Sequence, residues 1–546
     1  MKRSKLRRPH IPDTRASRAI HVTGATHATR ATHATRAIHI SRAIHISRAI
    51  HVSRAIHATV LIALTALTAS CAMGPRFTRP AAALPASWSA TSLEPAHQAA
   101  STVNPDTPTG DWWAAFDDAK LTQLIERSRA ANLDLRAAVL RITEARAQRD
   151  ISAAAAWPSL SANASFTRQR LSESTPTGSL FTKFDTLQIP GAPAIGVPNP
   201  YNQWQLGLTA MWEPDLFGRI RRSIEAADAD VQATTEDRAA LLVSLDSDVA
   251  RAYIDLRGAQ LRTAITQANL DTQRELLELT QQRQAAGVTT DLDVQNAAAE
   301  VSSTQAQLPL LNAQISTDIN QLSQLMGREP DALRTELSAT GAVPPVPPRI
   351  PIGLPADLTR RRPDIRAAEQ RLHAATARIG VAMADLFPRL TLSASGGFQS
   401  QNASDLIDWA SRFGSIGPGF EMPLFDRGRW VSLRLQNLRA QEAALDYQKV
   451  VLGALHEVEN ALALYRADQD RRDELAQAVA HGRDALELAR QRYESGVANF
   501  IVVLDAQRTV QQNELALVDS VTTVSADLVA LYKALGGSPD APAGAD

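Results

Sequence analysis

One cysteine in 546 residues leaves no disulfide framework to hold this chain together. Aromatic residues make up only 5% of it, too few for a large mixed core. The abundance of Ala, Leu, Gln, Arg and Glu favours long helices instead. Net charge is formally zero, but the first 70 residues hold 12 of the 57 Lys/Arg and one of the 57 Asp/Glu, so the remainder has a net of −11. A surplus of acid excludes an extended nucleic-acid surface. Eight of the twelve histidines precede position 58; the other four, His97, His373, His456 and His481, show no metal spacing. There is no phosphate loop and no nucleophile constellation, so the sequence points away from an enzyme, a bound metal or a cofactor.

What is present begins with a leader. Residues 21–57 are a hexad repeat with histidine at every sixth position, from His21 to His57. A histidine tract can bind metal, but a low-complexity leader is favoured, because a processing site follows. Arg54 and His57 precede an apolar run, Ala58 to Ala69, too short to span a membrane and suited to a secretory signal peptide. Cys71, the lone cysteine, comes directly after it and resembles a bacterial lipobox, where the thiol takes a diacylglycerol. Thr68 stands where Leu is usual, and Ala72 resembles the outer-membrane sorting pattern. An ordinary buried cysteine is the alternative.

Two alternating stretches organise the rest. In the first, Leu160, Ala162, Ala164 and Phe166 share one face against Ser159, Ser161, Asn163 and Ser165 on the other. After a Pro/Gly-rich loop, Trp204, Leu206, Leu208, Ala210 and Trp212 repeat the pattern. The second copy has Leu390, Leu392, Ala394 and Phe398, then a Gly-rich return with Ile416, Pro418 and Phe420. Period-2 alternation over about ten residues is how a membrane-spanning strand reads. A soluble surface hairpin reads the same way singly; two in matching places favour the membrane. The copies belong to an internal duplication. Asp134–Ala138 matches Asp364–Ala368 at an offset of 230, Leu216 matches Leu424 at 208, and Gly287 matches Gly496 at 209.

Each copy then enters a long helical pattern. Arg219 to Ala286 contains no proline and one glycine, which allows a helix of about 100 Å. Gly287 and Gly496 mark tight reversals. Beyond the second, Val503, Val510, Leu517, Val524 and Leu531 form a heptad seam, with Val521, Leu528 and Leu535 beside it. Pro309 should interrupt the corresponding helix of the first copy. Expected segments are the leader 1–57; signal and lipobox 58–71; an extended segment 72–120; a first repeat 121–341; a Pro-rich linker 342–357; a second repeat 358–537; and a disordered tail 538–546. Strands are expected at about 158–170, 201–213, 388–400 and 413–423. Helices are expected at about 121–156, 219–286, 288–326, 358–387, 427–495 and 498–535.

Four strands in lipid leave two unpaired edges, and lipid cannot satisfy them. Spanning strands must therefore be pooled between chains. The expected fold class is mainly α with a small transmembrane β part. With this, the chain resembles the TolC-like outer-membrane efflux channels, in their NodT-type lipoprotein branch. The resemblance rests on Cys71-Ala72-Met73-Gly74-Pro75, Asp111-Trp112-Trp113, Trp212 to Arg219, Arg361-Arg362-Pro363-Asp364 and Arg492-Tyr493-Glu494-Ser495-Gly496. It implies a homotrimer with a twelve-stranded barrel in the outer membrane and a periplasmic helical tunnel. It implies partners too: a periplasmic membrane-fusion adaptor and an inner-membrane RND-type transporter, for small-molecule efflux. Protein export by a type I secretion system, or a non-conducting coiled-coil lipoprotein, are the alternatives. Adaptor docking is expected at the helix tips, Gly287 and Val288 with Arg492, Gly496 and Val497. The resemblance also implies acidic rings near the tips. Candidate gate residues are Asp291 and Asp293 in the first copy and Asp505 in the second, where Val502 stands in the position of Asp293.

Overall fold

A computed structural model describes residues 72–81, 84–89, 102–104, 110–176, 178–179 and 199–537. The hexad-repeat leader, the signal-like run, Cys71 and the tail 538–546 lie outside the described residues. In chain order the elements are β1 (Thr102–Asn104), α1 (Ala119–Ala131), α2 (Leu133–Ala154), β2 (Ser159–Gln169), β3 (Tyr201–Trp212) and α3 (Arg219–Ala285). Then come α4 (Asp291–Gln305), α5 (Leu308–Leu325), β4 (Arg349–Pro351), α6 (Pro363–Ala384), β5 (Arg389–Ser400), β6 (Arg412–Glu421), α7 (Arg427–Glu494) and α8 (Phe500–Ala534). The duplication makes α6 the counterpart of α2, α7 of α3, and α8 of α4 and α5 together.

Five of the expected spans are corrected. The helix expected over 121–156 is two helices. Asn132 has ψ 130°, outside the helical range, and its side-chain oxygen accepts from Leu135 N to cap α2. The span 288–326 is also two helices, because Pro309 cannot donate to the ladder and α5 begins beside it, at Leu308. Val518, its counterpart, lies inside the unbroken 35 residues of α8. The span 358–387 starts with a single turn, Leu358–Arg361, set off from α6 at Arg362 (ψ 119°), since a residue before proline avoids the helical region. Finally, the extended segment and the Pro-rich linker are not wholly irregular. Thr102–Asn104 pairs in parallel with Arg349–Pro351, and Trp112–Phe116 forms a 3-10 turn.

Two apolar cores follow from the heptads. The larger packs Trp112, Phe116, Leu121 and Leu124 with Val249 and Tyr253 of α3 and Leu528 and Tyr532 of α8. Trp112 stacks on Tyr532 with centroids 5.3 Å apart. Arg129 lies 4.4 Å from the Trp113 ring and forks onto the buried Asp246 carboxylate at 2.9 and 2.7 Å. The smaller core, near the helix tips, holds Leu276, Ala489, Tyr493, Phe500, Val503 and Leu504. Of the described helices, α8 alone is long and apolar enough to cross a membrane; half of its most apolar stretch is buried in protein.

Candidate functional site

The strands form one antiparallel sheet in the order β2-β3-β5-β6, so β2 and β6 are its edges. Register decides its two faces. Leu160 pairs with Ala210, Phe166 with Trp204, Leu206 with Phe398, Trp212 with Leu392 and Leu390 with Phe420, which gathers the apolar residues on one face. The other face carries Ser161, Asn163, Ser165, Thr209, Ser393 and Ser395. The hydroxyls of Ser395 and Ser415 there lie 2.8 Å apart. One face suits lipid and the other water. A row of Gly207, Gly397 and Phe413 crosses the polar face. A Cβ on Gly397 would stand 2.1 Å from the Leu206 carbonyl oxygen, and one on Gly207 3.2 Å from the Phe413 ring. The glycines thus let the strands close up and the ring lie against the wall. Pro418 lies in β6, which is an edge of the sheet within one chain.

At the far ends of the helices, Gly287 (φ 73°) and Gly496 (φ 76°) occupy the left-handed region. An added Cβ would meet nothing within 4 Å at either, so backbone angle alone calls for glycine there. Both turns close in the same way. Gly287 N donates to Gln284 O and Val288 N to Arg283 O; Gly496 N donates to Tyr493 O and Val497 N to Arg492 O. Val288 and Leu292 on one tip, and Val497 and Ile501 on the other, are exposed. The tips are joined by Arg283, which lies 4.5 Å from the Tyr493 ring and donates to Glu494 O. Arg492 is exposed.

The four candidate gate residues have different surroundings. Asp293 closes a capping box at the start of α4: its Oδ2 accepts from Thr289 Oγ1 at 2.5 Å, Thr290 Oγ1 at 2.9 Å and Thr290 N at 3.2 Å. Burial would raise its pKa, but these hydrogen bonds outweigh it and hold the carboxyl below the usual carboxylate range. Asp291 and Asp505 are exposed, and so is Val502. In the second copy Asn499 stands where Thr290 does and makes no side-chain cap, so Val502 has no capping role to fill.

Two attachments fix the root of the structure. A strap runs from Met73, whose N–H donates to Phe217 O, along α6. Arg222 donates to the carbonyls of Met73 and Gly74, Phe77 stacks on His373 at 4.5 Å, and Arg79 pairs with Glu369 at 2.7 Å. Gly74 (φ 96°) leaves no room for a side chain, since its Cβ would stand 2.5 Å from Gly380 Cα. The second attachment is a clamp present in both copies. Arg362 donates to Ala534 O, the last carbonyl of α8, at 2.9 Å, to Glu457 at 2.6 Å and to Asp364 at 2.7 Å. In the first copy Asn132 donates to Leu325 O, the last carbonyl of α5, at 2.9 Å. Pro363 and Asp364 suit the first turn of a helix, which is a local signal; the reach of Arg362 to Ala534 O is tertiary and leaves none in the sequence.

Among the described residues, no group of three or more His, Cys, Asp or Glu is placed to hold a metal. Comparison with known proteins identifies the architecture. The model of the family "Outer membrane efflux protein" matches residues 124–328 and 354–537. The chain is 36% identical over 474 residues to outer membrane protein OprJ of Pseudomonas aeruginosa, covering 86% of this chain and 94% of that one. It is 30% identical over 479 residues to nodulation protein T of Rhizobium leguminosarum bv. viciae, covering 87% and 92%. Among solved structures, the outer-membrane channel OprN superposes with a TM-score of 0.76 at 37% identity, covering 86% of this chain and 99% of that one. The two matched blocks are the two repeats, and this chain belongs to the outer membrane efflux protein family.

Proposed function

We propose that this outer-membrane efflux channel works as a homotrimer, whose pooled strands form a twelve-stranded barrel over a helical tunnel. The observation that carries this is the unequal covering of the two repeats. Within one chain, Phe217 at the end of the first hairpin stacks on Phe387, which opens the second, at 5.1 Å. The equivalent pair at the other seam, Phe425 and Trp157, is 101% and 75% exposed. Likewise Ala226, Ala229 and Ala233 of α3 are buried, while the matching face of α7 leaves Leu435 and Leu438 exposed. On α2, Val139, Leu140 and Ile151 are exposed as well. The α7 and α2 faces are thus the two halves of one joint, and the β6 and β2 edges are free at the same seam. Closing that joint between neighbours repeats the joint inside the chain and abolishes the sheet edges.

The reading continues at the two ends. A lipid on Cys71 would anchor the strap close to the barrel. The exposed apolar tips around Gly287, Val288, Gly496 and Val497, with Arg492, would meet a periplasmic membrane-fusion adaptor, which couples the tunnel to an inner-membrane RND-type transporter for export of small molecules. Asp293, Asp505, Asp291 and Val502 would ring the narrow end; three copies each of Asp293 and Asp505 put six carboxylates there, which attract cations. The test is oxidative crosslinking of the double variant Trp157→Cys/Phe425→Cys in outer membranes. A trimeric band that needs both cysteines is expected. Monomer alone, with both thiols reactive to a maleimide, would overturn the assembly.

A further inference from the structure

We propose that Asp318 with Asp255, and Asp527 with Asp468, are proton-binding pairs that set how tightly the tunnel helices pack where the two repeats meet. Asp318 of α5 and Asp527 of α8 are 209 residues apart, and so occupy one position of the duplicated unit. Asp318 is 4% exposed. Its Oδ1 accepts from Gln314 Nε2 at 2.8 Å. Its Oδ2 is buried without a hydrogen-bond partner, and the same is true of Asp527 Oδ2. An unpartnered buried carboxylate oxygen is costly unless it carries a proton and can donate it.

The helices packed against each aspartate supply acids for that donation. The Asp255 carboxylate of α3 bears electrostatically on Asp318, and the Asp468 carboxyl of α7 bears on Asp527. Two guanidinium groups, those of Arg251 and Arg471, bear on these carboxyls. Arg251 of α3 reaches Asp255 at 3.8 Å and also bears on Asp527. Arg471 reaches Asp468 at 3.7 Å. Both are more than half exposed, at 64% and 56%, so water weakens their pull. Lys533, six residues beyond Asp527, is paired instead with Asp248 at 3.5 Å.

Burial, and then the Asp255 charge against the opposing Gln314 bond, pushes Asp318 up to about 6. Burial, and then the neighbouring Asp468 carboxyl, pushes Asp527 up to about 7. Both values lie above the unfolded one, so the protonated form is the stabilised one. That stability is complete below about pH 4 and is lost as pH rises through about 6 at Asp318 and about 7 at Asp527. Acidification therefore tightens the α3–α5 and α7–α8 contacts, and neutral pH loosens them by like-charge repulsion. Both pairs lie within one chain, so the device is independent of how many chains assemble.

Infrared titration of the full-length protein in detergent reads the protonated-carboxyl C=O stretch directly. The parent should keep that band to near neutrality and lose it in two steps. Asp318→Asn should remove the lower step and Asp527→Asn the upper, and the fall in Tm between about pH 5 and about pH 8 should vanish in the double variant. Asp255→Asn and Asp468→Asn, which spare the buried residue, should shift the midpoints downward. Asp291→Asn, an exposed acid, should change neither. Absence of any protonated carboxyl above about pH 5, or a titration unaltered by all four substitutions, would overturn the proposal.

Discussion

Replacing Arg362 by alanine tests the clamp on the last turn of α8. Burial opposes the charge of this guanidinium, but Asp364 and Glu457 outweigh the opposition and keep it charged. The cost of losing it can be worked from what remains. The Ala534 carbonyl would be left in a buried site, a loss of about 1–3 kcal/mol. The carboxylates cost less than a buried pair would, because the Asp364 and Glu457 side chains are 39% and 59% exposed and return to water. Allowing under about 1 kcal/mol for each exposed pair, the sum is roughly 2–4 kcal/mol. Arg362→Lys restores charge without the fork and should recover about half of it. The loss is local, so hydrogen exchange is the right assay: amides of Val529–Ala534 should exchange about 30-fold faster or more in Arg362→Ala, with little change at the helix tips. Asn132→Ala, which removes both the Leu325 contact and the α2 cap, should cost about 2 kcal/mol at the C-terminal turn of α5. Protection of Val529–Ala534 unchanged in both Arg362 variants would refute the reasoning.

At the α4 tip, Asp293→Ala should cost about 1 kcal/mol of local stability. Because the Asp293 pKa is lowered on folding, its contribution is present above about pH 4 and lost as pH falls through the folded value; exchange of the Leu292–Ala297 amides reports this. Asp505→Ala, where no cap exists, should leave those amides unchanged. In single-channel recordings the double variant Asp293→Ala/Asp505→Ala should show weaker cation preference and weaker block by multivalent cations than the parent. Parental selectivity would place the constriction on other residues. Gly74→Ala should release the strap, since its φ and the 2.5 Å approach to Gly380 both forbid a side chain; faster proteolysis between Met73 and Trp88 is the expected result. Cys71→Ser should abolish lipid labelling of the mature chain while leaving barrel insertion intact.

Much of this architecture is legible in the sequence, because its signals are local and occur twice. The alternation of Leu160 to Phe166 and of Leu390 to Phe398 gives the strands, since a sheet with one lipid and one water face admits no other pattern. Gly287 and Gly496 give the tips, because a reversal between two long helices needs a left-handed residue. What the sequence hides is tertiary. Asn132 sits between Ala131 and Leu133 with no break in the helical period, and its cap on Leu135 N together with its contact with Leu325 O explains the boundary. Three-residue pairings such as β1 with β4 carry no periodicity to detect. Asp318 and Asp527 look like ordinary solvated helix residues. The one signal marking them is that both copies keep the acid while neighbouring positions drift. The candidate gate shows the converse: positions 209 residues apart in one family-derived pattern differ in local role, because Asp293 has a threonine to cap with and Val502 does not.

The interruption between α4 and α5 has a mechanical consequence. Every other tunnel helix runs unbroken to its tip, so a bend in it must strain a continuous ladder of hydrogen bonds. Here the ladder already ends at Gln305, about 21 Å from the Asp291 end at 1.5 Å per residue. This segment is a lever with a built-in pivot: a tilt of about 10° there carries the Gly287 turn about 4 Å sideways while α5 stays packed. Within one chain, the tip hairpins thus set a stiff stave, α8, beside a jointed one, α4 with α5.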